Sequence, residues 1–300
     1  MRAITRLAVR PVLGPKMPIR WQRNLADALN RFPLLPRGTR LVTVDLGNRP
    51  AERIDGSDTD NNRAVLYLHG GGYTVGSPTT HRALAAHLAA AVGVPVYVLD
   101  YRLAPEHPYP AAVDDAAAAY RALLDTGIDP QRLTVAGDSA GGGLALALML
   151  RLRETGMPMP AALALISPWV DLTLDHVRDS RRDPLLRASW LRACAARYSG
   201  ERTDVRTPEI SPLYADLTGL PPMLVHSADD EILLPDIEHL VDQAETAGVP
   251  VVYRRLERMW HVAHMHAGLV TASTAAVREI GAFLRNAFDH DSRMGNPNVN

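Results

Sequence analysis

Cysteine is almost absent from this chain, which carries a single one, Cys194, among 300 residues. One thiol cannot form an intramolecular disulfide, so the fold does not depend on an oxidising compartment. Cys194 lies in a helical pattern rich in alanine, where a buried packing thiol is a better interpretation than a nucleophile. On this basis we expect a cytoplasmic protein.

Excess charge and long apolar runs are missing as well. The formal net charge is -1, which argues against nucleic acid or an anionic membrane as the main partner. No run reaches the roughly 18 apolar residues of a spanning helix. Residues 1–10 mix arginine with apolar residues and lack the continuous apolar region of a signal peptide. We expect no stable membrane insertion; an amphipathic N-terminal segment that packs on the protein or touches lipid weakly stays open.

Hydrophobic residues make up 47% of the chain, enough for a sizeable core. Short apolar or alternating stretches indicate strands, and they alternate with longer helical patterns. Such alternation predicts an α/β fold with a mainly parallel sheet covered on both faces. The predicted strands are 39–46, 64–68, 95–100, 132–137, 161–166, 222–227 and 250–255, and the predicted helices are 79–92, 111–125, 139–154, 235–247 and 265–287.

One interval breaks this alternation. About 55 residues separate the strand ending at Ile166 from the one at 222, far more than an ordinary connection needs. A helical pattern spans 183–198 within it, so we interpret the interval as an inserted helical cap, closed by the N-terminal segment. The predicted division is a core of 39–167 and 207–288, a cap of 1–38 and 168–206, and a flexible polar tail of 289–300.

The most informative stretch runs from Leu133 to Gly143. A β-prone run leads into Gly-Asp-Ser-Ala-Gly, with Ser139 at the centre, and a helical pattern follows. This is the Gly-x-Ser-x-Gly pattern of a nucleophile elbow, in which glycines make room for a strained serine at a helix N-terminus. The alternative is a glycine-rich helix start that binds phosphate. No lysine follows the glycines, as a P-loop would require.

A second glycine-rich segment, His69-Gly70-Gly71-Gly72, follows the strand at 64–68. An oxyanion hole on this design takes one amide from the residue after the serine, here Ala140, and another from this loop. We therefore predict Gly70, Gly71 and Ala140 as donors, against the alternatives of a plain tight turn or a phosphate nest. His69 is interpreted as structural.

A base and an acid must come later in the chain, in the order serine, acid, histidine. Among 11 histidines, His261 alone directly follows the last predicted strand. Three acids in a row, Asp229, Asp230 and Glu231, follow the strand at 222–227. At most one of them can face the imidazole.

Three further segments stand beside these motifs: 100–112 (DYRLAPEHPYPAA), 167–172 (SPWVDL) and 211–213 (SPL). Together with His69–Gly72 and Gly137–Gly141 they resemble the hormone-sensitive-lipase family of bacterial esterases, over about residues 40–285. The resemblance implies an α/β-hydrolase core of eight strands with a small helical cap, carboxylic-ester hydrolysis, and no metal or organic cofactor. Within the family, the sequence as a whole is most similar to small acetyl-hydrolase and monoterpene-lactone-hydrolase members.

The resemblance also bears on the acid. The run 231–236 (EILLPD) aligns with the family's Asp-Pro-Leu-x-Asp-Glu, which favours Glu231 over Asp230. A small cap predicts short acyl chains and a small-molecule ester substrate, with Trp169, Leu185, Leu186, Trp190 and Tyr198 as candidate lining residues. Lactone or amide hydrolysis would use the same triad, and a non-catalytic receptor on this fold is the distant alternative. A homodimer through the apolar face at 280–284 is the expected assembly.

Overall fold

An eight-stranded sheet organises the molecule. The computed structural model describes residues 1–200 and 203–294. The strand order is β1-β2-β4-β3-β5-β6-β7-β8; β1 pairs antiparallel with β2 and β2 with β4, and the remaining pairs are parallel. The strands are β1 Arg40–Leu46, β2 Arg49–Asp55, β3 Ala64–Leu68, β4 Val96–Leu99, β5 Leu133–Asp138, β6 Ala162–Ile166, β7 Met223–Ala228 and β8 Val251–Leu256.

The central strands are apolar along their whole length because helices cover both faces of the sheet. β3, β5 and β6 are buried at every position. Helices α3 and α8 pack on one face, and α4, α5 and α7 on the other. The helices are α1 Arg2–Ile4, α2 Ile19–Leu29, α3 Pro78–Val92, α4 Ala111–Asp125, α5 Ala140–Thr155, α6 Ala188–Ser199, α7 Leu234–Thr246 and α8 Thr271–Met294, and a π-helical turn, Thr5–Val9, continues α1.

The predicted mainly parallel α/β sheet is confirmed, with one strand that the residue pattern did not reveal. β2 reads Arg-Pro-Ala-Glu-Arg-Ile-Asp, which resembles a loop because it contains proline and four charges. Ion pairs make its burial possible: Glu52 is held by Arg82 at 2.7 Å, and Asp55 by Arg53 at 2.9 Å.

The N-terminal segment, which the sequence predicts as part of a cap, contacts α6. Trp190 of α6 donates its indole N–H to Gln22 of α2 at 3.0 Å. The helix predicted from 183 begins only at Ala188. Asp183 explains the delay, since its carboxylate accepts the amides of Leu185 and Leu186 and holds a turn there.

Two further expectations concern the end of the chain. Ile280 and Leu284, from the face suggested for a dimer, are buried inside the molecule within the core formed by α3 and α8. That face is therefore an internal packing surface, and it does not support a dimer. α8 continues to Met294, and the rest of the predicted tail, 295–300, lies outside the described residues. No helix in the described part of the chain has both the length and the apolarity needed to cross a bilayer.

Candidate active site

The predicted elbow lies at the carboxyl end of β5. Ser139 connects β5 to α5 with φ 51° and ψ -120°, a conformation that costs about 1–3 kcal/mol in a non-glycine residue. Its amide donates to the Ile166 carbonyl at 2.9 Å, and its carbonyl accepts from the Trp169 amide at 2.8 Å. A Cβ at Gly141 would lie against the Leu68 carbonyl, so only glycine permits this close approach.

Ser139, His261 and Glu231 form a continuous line of hydrogen bonds. The Ser139 hydroxyl lies 2.9 Å from His261 Nε2, and His261 Nδ1 lies 2.7 Å from Glu231 Oε2. The second carboxylate oxygen of Glu231 accepts the Ala228 amide at 2.6 Å. The three side chains come from the ends of β5, β7 and β8, and all are buried. This arrangement can pass a proton from the hydroxyl to the imidazole and stabilise the imidazolium.

The other two candidate acids face elsewhere. Asp230 pairs with Arg2 of the N-terminal segment at 2.6 Å. Asp229 pairs with Arg255 at 2.6 Å, and this hydrogen bond lowers the pKa of its carboxyl. Of the three neighbouring acids, the structure brings only Glu231 to the imidazole.

The glycine-rich loop follows β3 and lies beside the elbow, because Leu68 of β3 is paired with Gly137 of β5. The Gly70 amide donates to Asp138 Oδ1 at 3.0 Å, so it is not free for an oxyanion, and the expectation for Gly70 is corrected. The amides of Gly71, Gly72 and Ala140 make no hydrogen bond to any described residue. The motif alone could not predict which of its three glycine amides forms a hydrogen bond within the protein, because the bond depends on the position of Asp138.

A cavity of about 220 Å³ opens over Ser139 and His261. Three of the five predicted lining residues, Leu185, Leu186 and Trp190, line it. The other two belong to the core: Trp169 is fully buried, and Tyr198 stacks on Tyr73 with ring centroids 3.7 Å apart. The N-terminal segment contributes lining residues that the sequence did not single out, namely Thr5, Val9, Leu13, Ala26 and Asn30.

The chain is similar to known proteins over most of its length. The profile of a family with the alpha/beta hydrolase fold matches residues 65–265. An acetyl-hydrolase of Streptomyces hygroscopicus is 45% identical over 81% of this chain and 82% of its own, and an esterase of Acinetobacter venetianus is 40% identical over 87% of each. The crystal structure of an esterase from the bacterial hormone-sensitive lipase family superposes with a TM-score of 0.90 at 37% identity, covering 96% of this chain and 98% of that one.

The chain belongs to the hormone-sensitive-lipase family of α/β-hydrolases. As a member of this family it is a carboxylic-ester hydrolase. The resemblance seen in the motifs is thus confirmed for the family and for the α/β-hydrolase fold.

Behind the elbow of this hydrolase lies a buried ion pair that the sequence did not reveal. Asp138, the variable residue of Gly-x-Ser-x-Gly, accepts from the Tyr67 hydroxyl at 2.8 Å and lies 3.3 Å from His81 Nε2. Burial would raise the pKa of Asp138, but the charge and hydrogen bond of His81 and the hydrogen bond of Tyr67 hold it below the usual value. Burial would lower the pKa of His81, but Asp138 raises it overall. The sequence held one signal of this pair: Asp138 stands next to the nucleophile, where it is expected to be buried, and a buried carboxylate needs a cationic partner.

His69 is structural in its contacts, as its position in the loop predicted. Its ring stacks on Tyr101 at 4.3 Å and its Nδ1 lies 2.8 Å from the Gly70 carbonyl. Burial, with the nearby His81, lowers the pKa of His69 to about 3, so the ring is neutral. Cys194 is also a packing residue, since burial raises the pKa of its thiol to about 12.

Among the described residues, one group has side chains spaced to hold a metal ion: Asp171, His176 and Asp236. His176 and Asp236 already pair with each other at 3.1 Å. Burial, and then the charge of Asp171, raise the pKa of Asp236 to about 6. The group contains no residue of the Ser139 site.

Proposed function

We propose that this enzyme hydrolyses short-chain carboxylic esters through an acyl-enzyme, with Ser139 as nucleophile, His261 as general base and acid, and Glu231 as the orienting carboxylate. The observation that carries the proposal is the line of hydrogen bonds from the Ser139 hydroxyl to His261 and on to Glu231, at 2.9 and 2.7 Å. A receptor on this fold would have no need of an aligned base and acid.

In the proposed reaction, His261 Nε2 takes the hydroxyl proton as Ser139 Oγ attacks the ester carbonyl carbon. The carbonyl oxygen becomes an oxyanion, which the free amides of Ala140 and of Gly71 and Gly72 stabilise. The imidazolium then gives its proton to the departing alcohol. Water, activated by the same imidazole, attacks the acyl-enzyme and releases the carboxylic acid.

The acyl preference follows from the size of the cavity. About 220 Å³ lined by leucine, valine and tryptophan side chains favours a small apolar acyl group. The relative from Streptomyces hygroscopicus is named an acetyl-hydrolase, which supports a short acyl group here as well.

A panel of p-nitrophenyl acetate, butyrate, octanoate and palmitate, with a set of lactones and anilides, tests this proposal. We expect kcat/KM to peak at acetate or butyrate and to fall about tenfold or more at octanoate, because each methylene that finds no room loses roughly 1 kcal/mol of binding. A maximum on long-chain esters, or lactone or anilide rates above the ester rates, would contradict it.

A further inference from the structure

The outer surface of the N-terminal segment is unusually apolar. The described chain has twelve large hydrophobic residues that are exposed, and eight of them fall within the first 34 residues. Phe32 is 89% exposed and Leu7 78%, well beyond the partial exposure of ordinary surface leucines. Concentration in one segment distinguishes this surface from the scattered exposed apolar residues of any protein.

Helix α2 arranges part of this surface as a stripe. Trp21, Leu25 and Leu29 are spaced four residues apart, which places them on one side of the helix, and Phe32 follows just beyond its end. The inward-facing side of α2 begins next to this stripe. There Gln22 is fully buried and donates to the Gly14 and Met17 carbonyls.

Charge in the same segment is strongly one-sided. Residues 1–38 contain eight basic residues and one acid, a net charge of +7, although the whole chain carries -1. Arg2, Arg6, Arg10 and Arg23 bind carbonyl or carboxylate oxygens of the protein. The other four, Lys16, Arg20, Arg31 and Arg37, are exposed and form no ion pair with the described part of the chain.

Two of these free cations lie over the aromatic residues of the apolar surface. The Arg20 guanidinium lies 5.9 Å from the Trp21 ring centroid, and that of Arg31 lies 5.8 Å from the Phe32 ring. A helix with an exposed tryptophan on its apolar stripe and arginines along the margin matches the pattern of helices that lie in the headgroup region of a bilayer.

We propose that the N-terminal segment, through the exposed stripe of α2 with Phe32 and its flanking cations, binds the surface of an anionic phospholipid bilayer. The bilayer complements both features, since acyl chains accept the apolar side chains and phosphate groups attract the four cations that form no ion pair with the described part of the chain. A second copy of this face complements only the apolar part, because it would bring two sets of these cations together. The binding is peripheral and needs no spanning helix.

This surface covers the active site. Ala26 and Asn30 of the same segment line the cavity over Ser139, while Leu25 and Leu29 face outward. Binding at a bilayer would therefore hold the cavity's roof against the lipid and bring esters dissolved in the membrane close to it. The surface is independent of the proposed reaction, so either proposal can fail alone.

The test is co-sedimentation of the full chain with vesicles of phosphatidylcholine and phosphatidylglycerol in equal amounts, against vesicles of phosphatidylcholine alone. We expect binding to the anionic vesicles only, weakened by added salt. Leu29→Ser with Phe32→Ser should lower the partition coefficient about tenfold or more, since both side chains leave the acyl region. Arg31→Gln should lower it about fivefold, the effect of one cation near the surface.

Matched controls separate this face from general stickiness. Leu269→Ser removes an apolar side chain that is 57% exposed, as Leu29 is, but outside the segment. Arg132→Gln removes an exposed arginine far along the chain. Both should bind like the parent, and all variants should hydrolyse soluble p-nitrophenyl butyrate at the parent rate, which shows that they are folded.

Three results would overturn the proposal. The first is no binding to anionic vesicles at low salt, and the second is unchanged binding by the Leu29→Ser, Phe32→Ser double variant. The third is a dimer in sedimentation velocity that this double variant converts to monomer, since a second copy would then occupy the face.

Discussion

Glu231 and Asp230 are neighbours in sequence with opposite surroundings. Glu231 is buried between the imidazole and the Ala228 amide, whereas Asp230 reaches out to Arg2. Alignment of the family motif predicted this difference, but the residues alone left it open, because three consecutive acids offer the same charge. The contact between Asp230 and the second residue of the chain could not be foreseen, since it depends on where the N-terminal segment packs.

The two amide variants Glu231→Gln and Asp230→Asn therefore form a matched pair. Glu231→Gln keeps the volume but can no longer hold the imidazole tautomer or stabilise imidazolium, so kcat should fall by roughly 10⁴-fold. Asp230→Asn weakens only an ion pair that is partly exposed and should change kcat by no more than a few-fold. Steady-state hydrolysis of p-nitrophenyl butyrate decides between them, and a large loss in Asp230→Asn alone would show that the wrong acid has been assigned.

The Asp138–His81 pair should make stability depend on pH. Because the pKa of His81 is raised in the folded protein, the pair's stabilisation is complete below the unfolded value of 6.5 and is lost as the pH rises through the folded pKa. Because the pKa of Asp138 is lowered, its share is present above the unfolded value of 3.8 and is lost only in acid below it.

We expect the free energy of unfolding of the parent to exceed that of His81→Gln most between pH 3.8 and 6.5, and the difference to shrink over the pH range above 6.5. Urea unfolding followed by circular dichroism measures it. His239→Gln, at an exposed position of α7, is the control and should stay parallel to the parent throughout. A constant difference for His81→Gln across that range would mean that the pair is not ionised.

At the scale of elements, local chemistry decided which parts were predictable. The central strands could be predicted because each is a continuous apolar run, and the elbow because its glycines stand at a tight turn; both signals are local in the sequence. β2 was missed because its burial depends on Arg82, a residue of α3 some 30 positions away. The start of α6 was predicted too early because the Asp183 carboxylate accepts the amides of Leu185 and Leu186 and holds a turn there. A periodic pattern of apolar residues does not reveal such a hydrogen bond to the backbone.

The conformation of the glycine-rich loop after β3 can be tested by substituting one of its glycines. Gly71 has φ +123°, and a Cβ there would lie against the Val75 carbonyl, so Gly71→Ala must displace the loop and its amides. We expect kcat to fall by roughly 10²–10³-fold, the effect of losing one oxyanion donor. Gly156→Ala is the control, since it has φ +68° with open space around it and lies at the far end of α5.

Both variants carry the strain of an alanine at positive φ, so Gly156→Ala should lose about 1–2 kcal/mol of stability. Gly71→Ala should lose more, because its Cβ would also collide with the Val75 carbonyl. Only Gly71→Ala should lose activity while its substrate KM stays close to the parent value, because the oxyanion exists only in the transition state. If a folded Gly71→Ala protein had the kcat of the parent, this loop would not be part of the oxyanion hole.

At the scale of the whole molecule, bulk numbers concealed an important asymmetry. A net charge of -1 suggested a protein indifferent to anionic surfaces, yet the first 38 residues carry +7. The same segment lines the cavity. Its Arg23 forms an ion pair at 2.7 Å with Glu106, in the loop after β4. Its Arg2 forms another ion pair with Asp230, the residue next to Glu231. The sequence predicted that this segment forms part of a cap, but its individual contacts depend on tertiary packing that no local pattern encodes.

The central claim is that Ser139 carries the acyl group during ester hydrolysis. It is tested by the masses of the intact protein and of its digest peptides after turnover of p-nitrophenyl butyrate is quenched in acid, compared between the parent and Ser139→Ala. We expect a butyryl adduct on the peptide containing Ser139 in the parent, no adduct in Ser139→Ala, and a loss of roughly 10⁶-fold in kcat by analogy with other serine hydrolases. An adduct on another residue, or hydrolysis by Ser139→Ala at the parent rate, would contradict it.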